Sequence, residues 1–340
     1  VRRLTIADIA REAGVSTGAV SYALNDKPGV APGTRERILR VAAELGWRPS
    51  SAARALTGGG AGAIGLVVDR PARVLGSEPF FTHFLSGVQV ALQAHSGTSL
   101  MLQMSDDQEA ELDTYRSWWA QRKVDGVLLV DLRVADPRAG LVRGAGLPAV
   151  AVGPPQEAWG VPSVWTDDAA GVAQALEHLH GLGHRDVARV SGPEHLLHTR
   201  VRDEAFSRVM EHRGLRPGIL HTDYTGDQGA SATRRLLART PRPTAILYDN
   251  DVMAVAAMGV ARELGLDVPG DLSVIAWDDS PLCGIVRPVL TAVRRDIEEH
   301  GRMAAESLLL AVAGEEVPDR RTGDPELIVR GTTAEPRGTG

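Results

Sequence analysis

Three pairs of carboxylates hold most of the side chains that could do chemistry. Asp167/Asp168, Asp249/Asp251 and Asp278/Asp279 each follow or adjoin a predicted strand end. Hard oxygen ligands converging on a cleft can hold Mg²⁺, so a metal-dependent hydrolase is one reading. Carboxylates at such places also cap helices and accept hydrogen bonds from ligand hydroxyls, and that is the better reading. No lysine or histidine sits beside the pairs in an acid–base arrangement. His178, His180 and His184 lie on or just after one predicted helix, where structural use outweighs a shared metal. Cys283 is the only cysteine, which excludes intramolecular disulfides and structural thiolate zinc. Its neighbours Pro281 and Leu282 suggest a packed thiol.

The elements that must position these groups alternate. Apolar runs IGLVV, SLMLQM, GVLLV and PAVAV are separated by helical segments at 81–93 and 108–121. A second series, VARV, AILY and SVIAW, is interleaved with helices predicted at 167–182, 202–213, 229–238 and 251–264. This is the pattern of parallel sheets covered on both faces, an α/β fold. Two similar halves imply two lobes, with ligands bound in the cleft at the carboxyl ends of the strands. At 340 residues the chain suits a small head plus two larger lobes. Its 43% hydrophobic and 24% charged residues describe an ordinary soluble globular protein. No apolar run reaches the length of a membrane span and no signal-peptide core opens the chain, so the expectation is a cytoplasmic protein with no membrane partner.

The head reads TIADIAREAGVSTGAVSYALN, a helix-turn-helix. Ile6, Ile9, Ala10 and Ala13 share one face, Thr5 with Asp8 fits a capping box, and Gly14 sits at a helix end. Ser16 caps a second helix whose Val20 and Leu24 face the first. Thr17, Gly18, Ser21, Tyr22 and Asn25 then form an outward polar stripe, suited to the major groove of DNA. Thr34 is the expected cap of a third helix carrying Ile38, Val41, Ala42 and Leu45. The first sixty residues hold nine Lys and Arg against five Asp and Glu, about +4 in a chain of net charge -6. Arg2, Arg3, Lys27, Arg35 and Arg54 are the candidate phosphate contacts. Pro49 to Thr57 is too short to be a stable helix alone, and Gly58–Gly60 read as linker.

With AGVSTGAVSYALN, TRERILRVAAELGWRPSSAARALTGG, HLHGLGHRDVARVSGP, NDVMAVAAMGVARELGLDVPGDLSVIAWDD, RPVLTAVRRDIEEHGRMAAE and ELIVRGTT, the chain resembles the LacI/GalR family of transcriptional regulators from about Leu4 to Thr333. The resemblance implies a three-helix DNA-binding head at 1–48, a hinge helix and linker at 49–60, and a periplasmic-binding-protein-like core at 61–333. The first lobe is expected at about 61–163 and 293–323, the second at 164–292 and 324–333, with a loose tail at 334–340.

By the same resemblance, Thr17, Gly18 and Tyr22 stand where bases are read, and Thr5, Ser16, Ser21 and Asn25 where the DNA backbone is held. Leu56 occupies the place of the hinge leucine wedged into a minor-groove step. In the core, Phe81 matches an aromatic at the cleft mouth and Arg202 an arginine that reaches a ligand oxygen. Tyr224 matches a cleft aromatic, and Asn250 and Asp278 match polar ligand contacts. The GLGH turn recurs in the family without metal. Tyr22 replaces the usual recognition-helix arginine, Gly18 presents no side chain, and Ser50 replaces the common hinge asparagine. Ala151 to Pro155 lacks the aspartate of many sugar-responsive members, which weakens the case for an ordinary sugar. The function implied is that of a homodimeric, ligand-responsive repressor of a palindromic operator, not an enzyme, with a small polar effector and neither cofactor nor metal. A transport-type solute-binding protein is the other rival; the helix-turn-helix argues against it.

Overall fold

The computed structural model describes residues 4–47, 60–72, 74–95 and 97–337. The chain divides into two compact units, a head up to Ala61 and a core from Gly62.

In the head, Thr5 opens α1 (Ile6–Ala13) by donating its backbone N–H and its hydroxyl to the Asp8 carboxylate, at 2.9 and 2.7 Å. Gly14 ends the helix at φ 65°, where any Cβ would be strained. Ser16 Oγ accepts the Ala19 N–H at 3.1 Å and opens α2 (Thr17–Leu24). Helix α3 (Pro32–Glu44) begins earlier than the expected Thr34 cap. Ala31 is its N-cap, and Pro32 brings a φ already set for the first turn, so Thr34 lies inside the helix. Ile9, Val20 and Ile38 are fully buried where the three helices meet.

The first lobe contains β1 (Ala63–Asp69), α4 (Val74–Ser77), α5 (Pro79–Ala94), β2 (Ser99–Ser105), α6 (Gln108–Ala120), β3 (Gly126–Leu129), α7 (Arg138–Ala145), β4 (Ala149–Val152) and β5 (Ser163–Trp165). The second contains α8 (Asp168–Gly181), β6 (Val187–Ser191), α9 (Leu197–His212), β7 (Gly218–His221), α10 (Gly226–Leu237), β8 (Ala245–Tyr248), α11 (Asp251–Glu263), β9 (Ser273–Trp277), α12 (Pro281–Ile285) and β10 (Thr291–Arg294). Then α13 (Ile297–Val312) and β11 (Arg320–Arg321) return to the first lobe, and β12 (Glu326–Ile328) to the second.

The sheets run β11-β5-β4-β3-β1-β2 and β12-β10-β9-β8-β6-β7; β10 and β12 pair antiparallel and the other neighbours in these sheets pair parallel. In each sheet the connections leave the first strand in opposite directions, opening a crevice beyond the strand ends. The chain passes between the lobes after Trp165, after Arg294, and between Arg321 and Glu326. The boundaries read at 163/164 and 292/293 therefore fall inside β5 and β10. Strands of three or four residues are too short for their apolar pattern to mark an end. The same brevity hid β7, an edge strand with no fully buried residue.

Two glycines let α13 lie on α5. A Cβ on Gly87 would stand 1.8 Å from the Glu298 carbonyl oxygen, and one on Gly301 2.1 Å from that of Phe84. The tail expected to be loose from 334 is held as far as Arg337. Ala334 exchanges hydrogen bonds with Ser273 and accepts one from His184 at 2.9 Å, while Arg337 pairs with Asp267 at 2.8 Å. Ala334 docks here because the second lobe offers it the buried Ser273 and His184, while the Arg337 pair stays exposed.

Candidate functional site

On the head, Thr17, Gly18, Tyr22 and Asn25 of the stripe are exposed and Ser21 is half-buried. Tyr22 is 48% exposed, with its ring beside Gly29. Thr5 gives both its donors to Asp8, so the backbone contact expected of it has no free donor in this geometry. The Ser16 hydroxyl accepts from the helix and keeps its proton to give. Asn25 donates to the Ser21 carbonyl at 2.8 Å with one of its two amide protons. Arg35, expected at a phosphate, turns to its own unit: it donates to the carbonyls of Ala23 and Lys27 and pairs with Asp26. The Ala23 carbonyl lies in the last turn of α2, where carbonyls run short of helical partners, and the Lys27 carbonyl lies just beyond it. Lys27 remains exposed. Arg2, Arg3, Arg54, Leu56 and the whole expected hinge at 49–57 lie outside the described residues.

Between the lobes of the core opens a cavity of about 560 Å³, lined at the carboxyl ends of the strands. That is the volume of a small-molecule site. Arg202 sits in it on the second turn of α9, which starts five residues before the predicted helix. Its Nε donates to Asp168 at 2.7 Å, its Nη1 to Asp249 at 2.9 Å, and its plane lies 4.3 Å from the ring of Trp277. Arg189 holds Asp249 from behind at 2.6 Å, and Arg295 reaches both Asp168 and Asp278. Burial opposes the charged form of Asp168, but Arg202 and Arg295 outweigh it and hold the carboxyl below its ordinary value. Burial is likewise overcome at Asp249, by Arg189 and Arg202. The second-lobe wall thus carries a chain of buried ion pairs.

Tyr224 has φ 70°, a conformation that costs a bulky residue about 1–2 kcal/mol. Surrounding groups enforce it. Asn250 Nδ2 donates to the Tyr224 carbonyl at 2.9 Å, and the phenol meets His198 at 2.7 Å and Thr199 at 3.1 Å. Gly192 leaves room for the ring, since a Cβ there would stand 2.0 Å from it. The other end of Asn250 accepts the Met253 N–H as the N-cap of α11. Each end of the Asn250 amide therefore makes one bond to the protein, and a second amide proton and lone pair remain beside the cavity that it lines. Asp278 lines the cavity, held by Arg295 at 2.8 Å.

Phe81 is 1% exposed and belongs chiefly to the first-lobe core; its neighbour Phe80, half-buried and edge-on to it at 5.3 Å, is the more open aromatic of the pair. Arg70, also on the first-lobe wall, binds Asp131 at 2.9 Å, and its guanidinium stands 4.9 Å from the Tyr224 ring across the cleft. Two backbone hydrogen bonds join the lobes, with Leu197 N–H donating to the Leu132 carbonyl at 2.7 Å and Val134 N–H to that of His195 at 3.1 Å. Burial pushes His198 and His300 down to about 4, so both rings are neutral near pH 7.

The three histidines of the GLGH region do not converge. His184 bonds Thr244, Ser273 and Ala334, His178 bonds Thr333, and His180 lies beside Arg185. Among the described residues, no three His, Cys, Asp or Glu side chains are grouped to hold a metal ion. Cys283 is fully buried, and burial pushes its thiol up to about 12.

A helix-turn-helix and a two-lobed core of this kind have counterparts among known proteins. Bacterial regulatory proteins of the lacI family match at residues 5–50, and the periplasmic binding protein-like domain at 176–333. HTH-type transcriptional regulator CelR of Thermobifida fusca is 33% identical over 338 residues, 97% of this chain and 98% of its own. The chain belongs to the LacI family. Two solved structures of the family follow it over nearly its whole length. A CelR–cellobiose complex is 32% identical with a TM-score of 0.73, covering 97% of this chain and 100% of its own. A lac repressor dimer bound to operator and the anti-inducer ONPF is 27% identical with a TM-score of 0.82, covering 98% and 100%. As a LacI-family protein the chain is a ligand-responsive, DNA-binding transcriptional regulator and not an enzyme, and the hydrolase and transport readings fall with that.

Arg70, Glu78, Phe80, Asp131, His198 and Arg295 line the regulator's cleft without having been singled out as ligand contacts in the sequence. A signal for some was available. Arg70 follows β1 directly and Asp131 stands two residues beyond β3, and the ends of parallel strands beside a reversal of strand order are where ligands bind.

Proposed function

We propose that this LacI-family regulator is a repressor that binds an imperfect palindrome as a homodimer and responds to a sugar or related polar metabolite in the cleft. The domain roles are those of head at 1–48, hinge at 49–60 and effector core at 61–333. Thr17, Gly18 and Tyr22 face the bases, and Ser16, Ser21 and Asn25 the phosphates, with Thr5 setting the entry to α1. Leu56 enters the minor groove between half-sites. With glycine at 18 and tyrosine at 22, the bidentate guanine contact of an arginine is absent, and DNA shape carries more of the recognition.

In the cleft, Arg202 and Asp278 present ligand contacts from the second lobe. Tyr224, set by Asn250, supplies an aromatic wall, and Phe80 with Phe81 forms the mouth. The carrying observation is the cavity of about 560 Å³, lined by preset polar groups from both lobes, on a chain with a DNA-reading head. The relatives agree with this reading: CelR is bound to cellobiose, and the lac repressor is a dimer bound to operator. Effector binding alters how the lobes meet and hence the spacing of paired hinges; such couplings are typically ~1–3 kcal/mol.

Fluorescence anisotropy with palindromic duplexes tests this. Affinity is expected to fall steeply with salt as counterions are released, and a sugar of the right class to lower it further. Binding by monomers, or a footprint without two-fold symmetry, overturns it.

A further inference from the structure

The charges of the cleft do not balance. Inside its exposed rim the carboxylates that line it are Glu78, Asp131, Asp168, Asp249, Asp251, Asp278 and Asp279, the last held by Arg330 at 2.7 Å, while the arginines close to the others are Arg70, Arg202 and Arg295, with Arg189 behind. Buried pairing accounts for four of these carboxylates: Asp131 by Arg70, Asp168 and Asp249 by Arg202, and Asp278 by Arg295. The histidines that line the deep wall, His198 and His300, are neutral and add no positive charge.

Two carboxylates are left over, one from each lobe. Glu78 precedes α5 on the first-lobe wall, caps nothing with its side chain, and stands 3.7 Å from an Arg70 already bound to Asp131 at 2.9 Å. Asp251 opens α11 on the second-lobe wall and is 1% exposed. Its Oδ2 has no hydrogen-bond partner among the described residues, although the carboxylate also meets Ser280. A buried carboxylate oxygen left without a donor is costly, and a ligand that supplies one relieves the cost.

We propose that the effector carries a cationic nitrogen, an ammonium group on a hydroxylated sugar-sized scaffold, seated between Glu78 and Asp251. The proposal rests on the reading of this cleft as the effector site. A hydroxyl would satisfy one oxygen but leave the excess charge; an ammonium does both, donating three hydrogen bonds. Because the two carboxylates belong to different lobes, the same group would draw the lobes together. Burial, with Asp131, Asp278 and Asp251 adding to it against Arg70, pushes Glu78 up to about 8. Burial and Asp278 push Asp251 up to about 6, against Ser280. Glu78 is thus mostly protonated in the empty protein at pH 7, and a bound cation expels that proton.

Matched pairs test the idea by calorimetry on the full chain: glucosamine with glucose, galactosamine with galactose, and the β-1,4 glucosamine disaccharide with cellobiose. In at least one pair the amino sugar is expected to bind tenfold or more tightly than its hydroxyl twin. It is also expected to release a proton, seen as a heat that varies with the buffer's ionisation enthalpy. Glu78→Gln and Asp251→Asn are each expected to erase the preference, and a circular-dichroism melt checks that both variants fold. A hydroxyl twin that binds as well or better and still releases operator overturns the cationic effector while leaving the cleft as the effector site. So does a Glu78→Gln variant that keeps the preference. If neither member of any pair binds or affects operator affinity, both readings fall.

Discussion

Head and core use their polar groups in opposite ways. Among the described residues of the head every buried side chain is apolar, and the polar residues of α2 stay outside. The core buries Arg138, Arg189 and Arg202 almost completely and gives each of them carboxylates. A face for a polyanion needs only a small apolar core, good caps and exposed donors, because the partner's charge is spread along its length. A site for one small molecule needs charges fixed in a dry place before the ligand arrives, and each fixed charge must be held by another. The head therefore tolerates single changes that the core does not.

The largest expected effect follows from removing one member of the buried chain. Arg202→Ala leaves Asp168 and Asp249 facing each other's charge, with only Arg295 and Arg189 to hold them. Breaking a buried pair this way typically costs ~3–5 kcal/mol. Denaturant unfolding of the core would show it, and a loss below about 1 kcal/mol would mean that these charges do not depend on one another.

Glu78 is the counter-case, a core carboxyl whose nearby cation, Arg70 at 3.7 Å, is already bound to Asp131. Its carboxyl titrates near 8 when folded and near 4.5 when unfolded, so the folded state binds the extra proton between those values. Its contribution is fully present below the unfolded value and is lost as pH rises through the folded one. Glu78→Gln should accordingly gain on the parent as pH rises from 5 to 8, by at most about 1.4 kcal/mol per unit. Urea melts of both proteins across that range decide it, and parallel curves would place Glu78 in ordinary solvent.

Gly192→Ala probes packing at the same wall. The new methyl would meet the Tyr224 ring, and overpacking of this sort costs ~1–3 kcal/mol. Operator affinity without effector should be unchanged at fixed salt while the effector response weakens; an unaltered response would show that the Tyr224 ring does not shape the site.

The smallest effect is expected in the head, where Ser16→Ala removes the cap of α2 at a cost of about 1 kcal/mol. If calorimetry found that change more damaging than Arg202→Ala, the contrast between the two regions would be wrong.

The sequence by itself determined what repeats locally. The apolar spacing of Ile9, Ala10, Ala13 and Val20, the Thr5–Asp8 and Ser16 caps, and the glycine at 14 specify two helices and their turn, because a helix face and its ends are written within a few residues. The alternation of buried strands and helices likewise declares two parallel-sheet lobes. What it left open depends on groups distant in the chain. That Arg35 clasps its own loop, that Asn250 serves Tyr224, and that the tail docks on His184 could not be read from spacing, since each side chain had several partners of equal chemistry. Phe80 and Phe81 are adjacent and alike, and only the rotation of α5 against its neighbours decides which one opens on the cleft. The pairing of four cleft carboxylates with their arginines, which leaves Glu78 and Asp251 over, is of the same kind. In a dry cleft the energy of a charge depends on every other charge within reach, and only the tertiary structure brings residues 78 and 251 within reach of one another.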